Sequence, residues 1–153
     1  MAKDAIALLE EDHSKVRDLL AKLTSTTDRA GKTRQDLLEQ IATELKVHTA
    51  LEEEIFYPAF RDADGKEHLK LYHEALEEHR AVEEMIIPDL QKTDAQSVQF
   101  SGRAKVLKEL VEHHVEEEEE MMFKMARESL SKDALQELGD KMATRKKALM
   151  GKS

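Results

Sequence analysis

Apolar residues recur every three or four positions along most of this 153-residue chain, the spacing of amphipathic helices. From about Asp4 to Leu23 the stripe carries Ile6, Leu9, Val16 and Leu20, with His13 among them. Ser25-Thr26-Thr27-Asp28 and Gly31 mark a loop. A second helix is predicted from about Thr33 to Phe60, aligning Leu38, Ile41, Leu45, His48, Glu52 and Ile55. Pro58 falls in its last turn, and Asp62 to Gly65 closes it. The third, from about Glu67 to Leu90, aligns Leu69, Tyr72, Leu76, His79, Val82 and Ile86, with Pro88 near its end. The fourth, from about Val98 to Arg127, aligns Leu107, Leu110, Val111, His114, Glu118, Met121, Met122 and Met125. Ser131 is placed to cap a short fifth helix ending near Met150, with Leu135, Leu138, Met142 and Leu149 on a narrower stripe.

Long helices joined by short loops predict an all-α fold, an up-down-up-down four-helix bundle with a short C-terminal fifth helix. No linker divides the chain, so residues 1–153 are expected to form one domain, with the bundle over 1–127. Charged residues make up 37% of the chain and apolar ones 40%, with five Gly and two Pro, which suits helices with one wet face. Cysteine is absent, which excludes disulfides, thiolate zinc sites and iron–sulfur clusters. Any metal must be held by imidazole and carboxylate, donors suited to iron, manganese or zinc. No apolar run reaches the length of a membrane span and Met1–Leu20 has no secretory core, so a cytoplasmic protein without a membrane partner is expected. The net charge of −9 argues against nucleic acid as a partner. A monomer or weak homo-oligomer is expected.

Four histidines change the picture. His48 and Glu52, and again His114 and Glu118, stand four apart, so each pair presents a nitrogen and a carboxylate on one helical face. Antiparallel counting brings the others alongside. His13 points to a partner near residue 44, where His48 and Glu52 lie; that pair points to about residue 76, near His79; and His79 points to about residue 110, near His114. A lone histidine on an apolar face is ordinarily a hydrogen-bonded core residue. Four imidazoles and two carboxylates at one level cannot all satisfy one another, and metal ions supply the missing partners. The candidate ligands are therefore His13, His48, Glu52, His79, His114 and Glu118, enough for two ions.

Register, not abundance, selects these residues. Glu53, Glu54 and the rest of the Glu116–Glu120 run fall on solvated faces. The alternative pair His113 and Glu117 shares its face with Glu109 and Glu116 and is expected to be exposed. His68 and His73 lie off the third apolar stripe and are placed at the surface; Glu83, four after His79, is within reach of the site as a third carboxylate, with an outward position preferred. Tyr57 and Tyr72 fall at core or rim positions; Tyr72, two turns before His79 on its face, is the one placed to approach the ligands.

The order His13, His48-x-x-x-Glu52, His79, His114-x-x-x-Glu118 resembles the hemerythrin-like, or HHE cation-binding, domain. Glu11-Asp12-His13, Glu52-Glu53-Glu54-Ile55-Phe56-Tyr57-Pro58 and Glu78-His79-Arg80 agree with it, over roughly Met1 to Arg127. The last helix, from Leu135 to Ala143, is similar to the tail of an actinobacterial subgroup. The resemblance implies a non-haem di-iron centre, two iron ions with a bridging oxo or hydroxo group, held by those six residues. Oxygen-carrying hemerythrins have two histidines four apart on the third helix, whereas Ala75 and Glu83 flank His79 here, which implies a role other than simple carriage. Four imidazoles, two bridging carboxylates and an oxo bridge leave about two of some twelve octahedral positions for small molecules such as dioxygen, hydrogen peroxide or nitric oxide. The expectation is peroxide disproportionation or a related oxidative or nitrosative defence. Reversible binding, storage or sensing of oxygen or iron is the alternative.

Overall fold

The protein is described here by a computed structural model covering residues 3–63 and 65–151. Five helices are present among the described residues. α1 is Ala5–Thr24. α2 runs as Gly31–Leu51, a π-helical turn Glu52–Phe56, and Tyr57–Ala63. α3 comprises Lys66–Arg80, a π turn Ala81–Ile86 and Ile87–Lys92. α4 comprises Val98–Glu117, a π turn Glu118–Met122 and Phe123–Ser129. α5 is Lys132–Met150. α1 packs on α2 and α4, α3 packs on α2 and α4, and α5 lies across α1 and α2. The first four helices are the bundle that the stripes predict.

Helix starts follow their capping chemistry. Asp4, Ser97 and Ser131 accept hydrogen bonds from the backbone N–H of Ala7, Phe100 and Ala134, satisfying donors that have no partner within the helix. Arg34, fully buried, ties two loops together at one end of the bundle, donating to the Thr26 and Ala95 carbonyls and to Ser101 Oγ. At the other end α5 crosses the start of α1 at Gly139, where a Cβ would come within 2.5 Å of the Lys3 carbonyl oxygen. Only glycine permits that approach. As the Ser131 cap and the stripe to Met150 predict, α5 spans 19 residues, and it adds Leu135 and Met142 to the core.

The core is split in two. One half gathers Val16, Leu20, Ile41, Leu90, Phe100 and Leu107; the other gathers Leu9, Leu51, Phe56, Phe60, Phe123 and Met142. Between them lies a buried polar layer of His13, His48, Glu52, His79 and Glu118, with His114 at its edge.

The π turns correct the stripes. In each, one extra residue is wound in, so that the N–H of Tyr57, Ile87 and Phe123 bonds the carbonyl five residues earlier, at Glu52, Val82 and Glu118. Beyond Glu52 the inward positions become Phe56, Tyr57 and Phe60, and Ile55 is displaced to the flank. Beyond Glu118 they become Met122, Phe123 and Ala126, while Met121 turns outward. Leu110 also faces solvent, as does Leu69, whose inward place is taken by its neighbour His68. His68 is thus buried, stacked 4.3 Å from the Phe60 ring and bonded to Ser129 Oγ, rather than at the surface. Pro58 and Pro88 each stand second after a π turn, where the regular ladder is already interrupted and a missing N–H costs little.

Candidate metal centre

All six sequence-predicted residues converge on the polar layer. They form two overlapping sets, His13, His48, Glu52, Glu118 and Glu52, His79, His114, Glu118, with the donor atoms of each set within 4.8 Å of one another. Both glutamates belong to both sets, the arrangement expected of carboxylates that bridge. His13 Nε2 lies 2.9 Å from Glu118 Oε1 and His48 Nε2 3.2 Å from Glu52 Oε1. On the other side, His79 Nε2 is 3.1 Å from Glu52 Oε1 and His114 Nε2 is 3.1 Å from Glu118 Oε2.

Each imidazole is aimed by a carboxylate on a neighbouring helix. Asp12 on α1 accepts from His48 Nδ1 (3.0 Å), Glu53 on α2 from His79 Nδ1 (2.8 Å), Glu78 on α3 from His114 Nδ1 (2.7 Å) and Glu119 on α4 from His13 Nδ1 (2.7 Å). The four contacts run round the bundle and close on themselves. With every Nδ1 engaged outward, every Nε2 faces the centre, the pose in which second-sphere carboxylates hold metal-ligating histidines. Asp12 is anchored in turn by Lys146 of α5, whose Nζ donates to Oδ1 at 2.6 Å. These acceptors escape a search by stripe, because residues adjacent to a ligand lie off the apolar face. Their signal is adjacency: Asp12, Glu53, Glu78 and Glu119 each neighbour a candidate ligand in the chain.

The donor set also fits a cation by default of anything else. His13 Nε2, His48 Nε2, both oxygens of Glu52 and Glu118 Oε1 are buried without a satisfactory hydrogen-bond partner. Orphaned groups of this kind are rare and costly. Without metal the layer relieves itself by protonation. Burial opposes a charged imidazole, yet Glu52 and the hydrogen bond to Asp12 push the His48 pKa up to about 10. His114 is likewise held well above its ordinary value against burial, chiefly by Glu118. Glu118 resists burial in the opposite sense and stays well below the usual carboxylate range because His114 faces it.

Tyr57 is the residue at the polar layer that the pattern hides, and Tyr72 is not the one that approaches. The Tyr57 side chain is fully buried, and its hydroxyl donates to Glu118 Oε2 at 2.5 Å while lying 3.2 Å from His79 Nε2 and 3.4 Å from His114 Nε2. Burial, then the charges of Glu118 and Glu52, raise its pKa well above that of a free phenol, so it keeps its proton. Tyr72 stands edge-on to the Tyr57 ring and pairs with Arg61. His73 and His113 are exposed, as the stripes imply.

The two sides of the layer differ. Glu52, Glu118 and Tyr57 face the aromatic half of the core. On the opposite side is a cavity of about 30 Å³, lined by the four histidines, by Val16, Leu45, Val82, Val111 and Val115, and by Thr49, Glu78 and Glu83. Glu83 is therefore half-buried at this cavity, with Oε1 unpartnered, rather than turned outward. Burial raises its pKa.

A protein of Nostoc sp. (strain PCC 7120) described as a DNA nickase is 29% identical over 127 residues, which make up 82% of this chain and 34% of that protein. The chain thus spans about a third of that relative's length. The crystal structure of a hemerythrin HHE cation-binding domain-containing protein from Mycobacterium kansasii superposes with a TM-score of 0.84 at 28% identity, covering 98% of this chain and 89% of that one. The model of the family described as the hemerythrin HHE cation binding domain matches residues 4–126, the span that holds all six convergent residues, and the chain belongs to that family.

Proposed function

We propose that the buried layer holds two iron ions bridged by an oxo or hydroxo group, with His13 and His48 on one ion, His79 and His114 on the other, and Glu52 and Glu118 spanning both. The observation that carries this reading is the convergence of four Nε2 atoms, each with its Nδ1 spent on a carboxylate, around Glu52, both of whose oxygens lack hydrogen-bond partners, and Glu118, whose Oε1 lacks one.

The activity supported best is hydrogen peroxide disproportionation. When bound, the metal pair supplies two-electron exchange, one peroxide being reduced to water and a second oxidised to dioxygen. The chain's own part is admission, exclusion and proton placement. The valine-lined cavity admits a neutral molecule the size of a water or a peroxide and disfavours charged ones. Phe56 and Phe123 close the opposite side against bulk water. Tyr57 holds a proton at Oη beside one histidine pair, and Glu83 brings a carboxyl to the cavity at the other side. Proton donors and acceptors at both sides suit a reaction that breaks and makes O–H bonds. The apolar lining alone would equally suit reversible dioxygen binding, the second reading.

An oxygen electrode separates the two. Iron-loaded protein given hydrogen peroxide is expected to evolve oxygen, and His114→Ala to evolve none. Loaded protein that evolves no oxygen, yet binds dioxygen reversibly after reduction, replaces this reading with the second.

A further inference from the structure

Glu83 is a carboxylate that the six-residue layer leaves unused. It stands four residues after His79, inside the π turn of α3, where the wider winding keeps it closer to the His79 face than a regular helix would. A glutamate on a helix flank ordinarily turns both oxygens to water. Here the residue is half-buried, and Oε1 is shut from solvent without a hydrogen-bond partner. A carboxylate oxygen left so is costly.

Its surroundings belong to the centre. Glu83 and all four histidines line the same cavity of about 30 Å³, room for a water or a molecule little larger. Glu83 belongs to neither four-residue set, whose donors lie within 4.8 Å of one another, so joining them takes a turn of its side chain into that space. A glutamate side chain has the staggered rotamers for such a turn. Burial opposes the ionised form of Glu83, while the Thr49 hydroxyl on α2 and the neighbouring His79 favour it. Thr49 lines the cavity too, a polar rest for the carboxylate when it is turned away.

We propose that Glu83 is an exchangeable seventh ligand of the buried centre, closing an open position on the ion held by His79 and His114 and yielding it to a small molecule that enters the cavity. Six residues and a bridge leave about two of some twelve positions open, and Glu83 fills one of them at rest. A position guarded in this way is selective, because an incoming molecule must compete with a carboxylate for the ion. The proposal rests on the buried layer holding iron and not on peroxide chemistry.

The test uses the whole chain loaded with iron, as wild type, Glu83→Asp and Glu83→Ala. Azide is the probe, since it can enter as its neutral conjugate acid. Its binding is read from the azide-to-iron charge-transfer band, and iron content from metal analysis. If Glu83 holds the position about nine-tenths of the time, both variants should bind azide about tenfold more tightly than wild type. Iron content should not change. Glu83→Asp is the decisive variant, because it keeps the charge but falls one methylene short. A rise in Glu83→Ala alone would make Glu83 a repelling charge and not a ligand. That result, a rise in Glu83→Asp alone, or no rise at all overturns the proposal. Loss of iron from either variant also overturns it, since an exchangeable ligand is not needed to retain the ions. Wild type that takes up no iron would overturn the buried centre itself and this proposal with it, whereas equal azide binding in fully loaded chains leaves the centre standing.

Discussion

Tyr57 and Phe123 occupy the same place in the two halves of the bundle. Each follows a π turn, five residues after a glutamate of the polar layer, and each stacks on a histidine of the adjacent helix: Tyr57 on His79 at 5.4 Å, Phe123 on His13 at 5.7 Å. The halves differ by one hydroxyl. That oxygen reaches His79, His114 and Glu118, so the second histidine pair has a proton donor that the first lacks. Tyr57→Phe would make the halves alike. Its iron content should match wild type, while peroxide turnover should fall about a hundredfold, the usual worth of a placed proton donor. Metal analysis and an oxygen electrode check both; full activity in the variant would remove Tyr57 from the chemistry.

His48→Ala and Glu118→Ala should each lose metal, whereas His73→Ala and His113→Ala should retain the buried pair at equilibrium. The first two lie in the layer and the last two are exposed. Metal analysis after dialysis decides, and a metal-free His73→Ala protein would contradict the assignment.

Lys146 on α5 reaches the centre through Asp12, which holds His48. Lys146→Ala should weaken iron retention by about tenfold, and Asp12→Ala by more, the scale usual for outer-sphere partners. Competition with a chelator measures the loss. Retention equal to wild type in both would mean that His48 needs no help to keep its pose.

Chelated protein should remain helical but melt lower than loaded protein. The two core halves supply apolar burial worth about 1.5–3 kcal/mol for each fully buried Leu or Ile, independent of metal. Emptying the layer leaves imidazoles and carboxylates to be satisfied by protons alone. Circular dichroism melts test this, and coincident transitions would show that metal adds nothing to the fold.

The protonated layer also sets a pH dependence. In chelated protein His48 keeps its proton to about 10, above its ordinary 6.5, so its contribution is complete below pH 6.5 and drains away as pH rises toward 10. Glu118 acts in the other direction: its carboxyl is held well below 4.5, so its contribution is present above that value and lost as pH falls beneath it. Chelated protein should therefore be most stable between these limits. Metal displaces the imidazole protons, so loaded protein should lose the alkaline decline and weaken in acid instead. Urea midpoints at several pH values, with and without metal, give the comparison. An alkaline decline of the same size in both forms would refute the linkage.

Much of this was legible in the chain because helical periodicity reports which side chains share a face. The four long helices, the Ser131 cap and the meeting of six residues from four helices all follow from that rule. The shifted positions that it missed have one physical origin. A π turn adds a residue without any mark in hydrophobic spacing, so inward positions after Glu52 and Glu118 shift by one. Tyr57 and Phe123 are gained by that shift, and Ile55 and Met121 are lost. Glu83 follows the same logic, since it lies within the π turn of α3 and not on the regular helix from which its outward pose was inferred.

Because each helix steadies the next one's histidine and the fourth returns to the first, no pair of helices owns its share of the centre. A bundle with one helix undocked leaves one imidazole free to rotate and one carboxylate without its proton donor, and both ion positions deteriorate together. Iron would then be retained only where all four helices have seated, and chains caught half-assembled would stay charged with protons instead. Loading would thus act as an inspection of the finished fold.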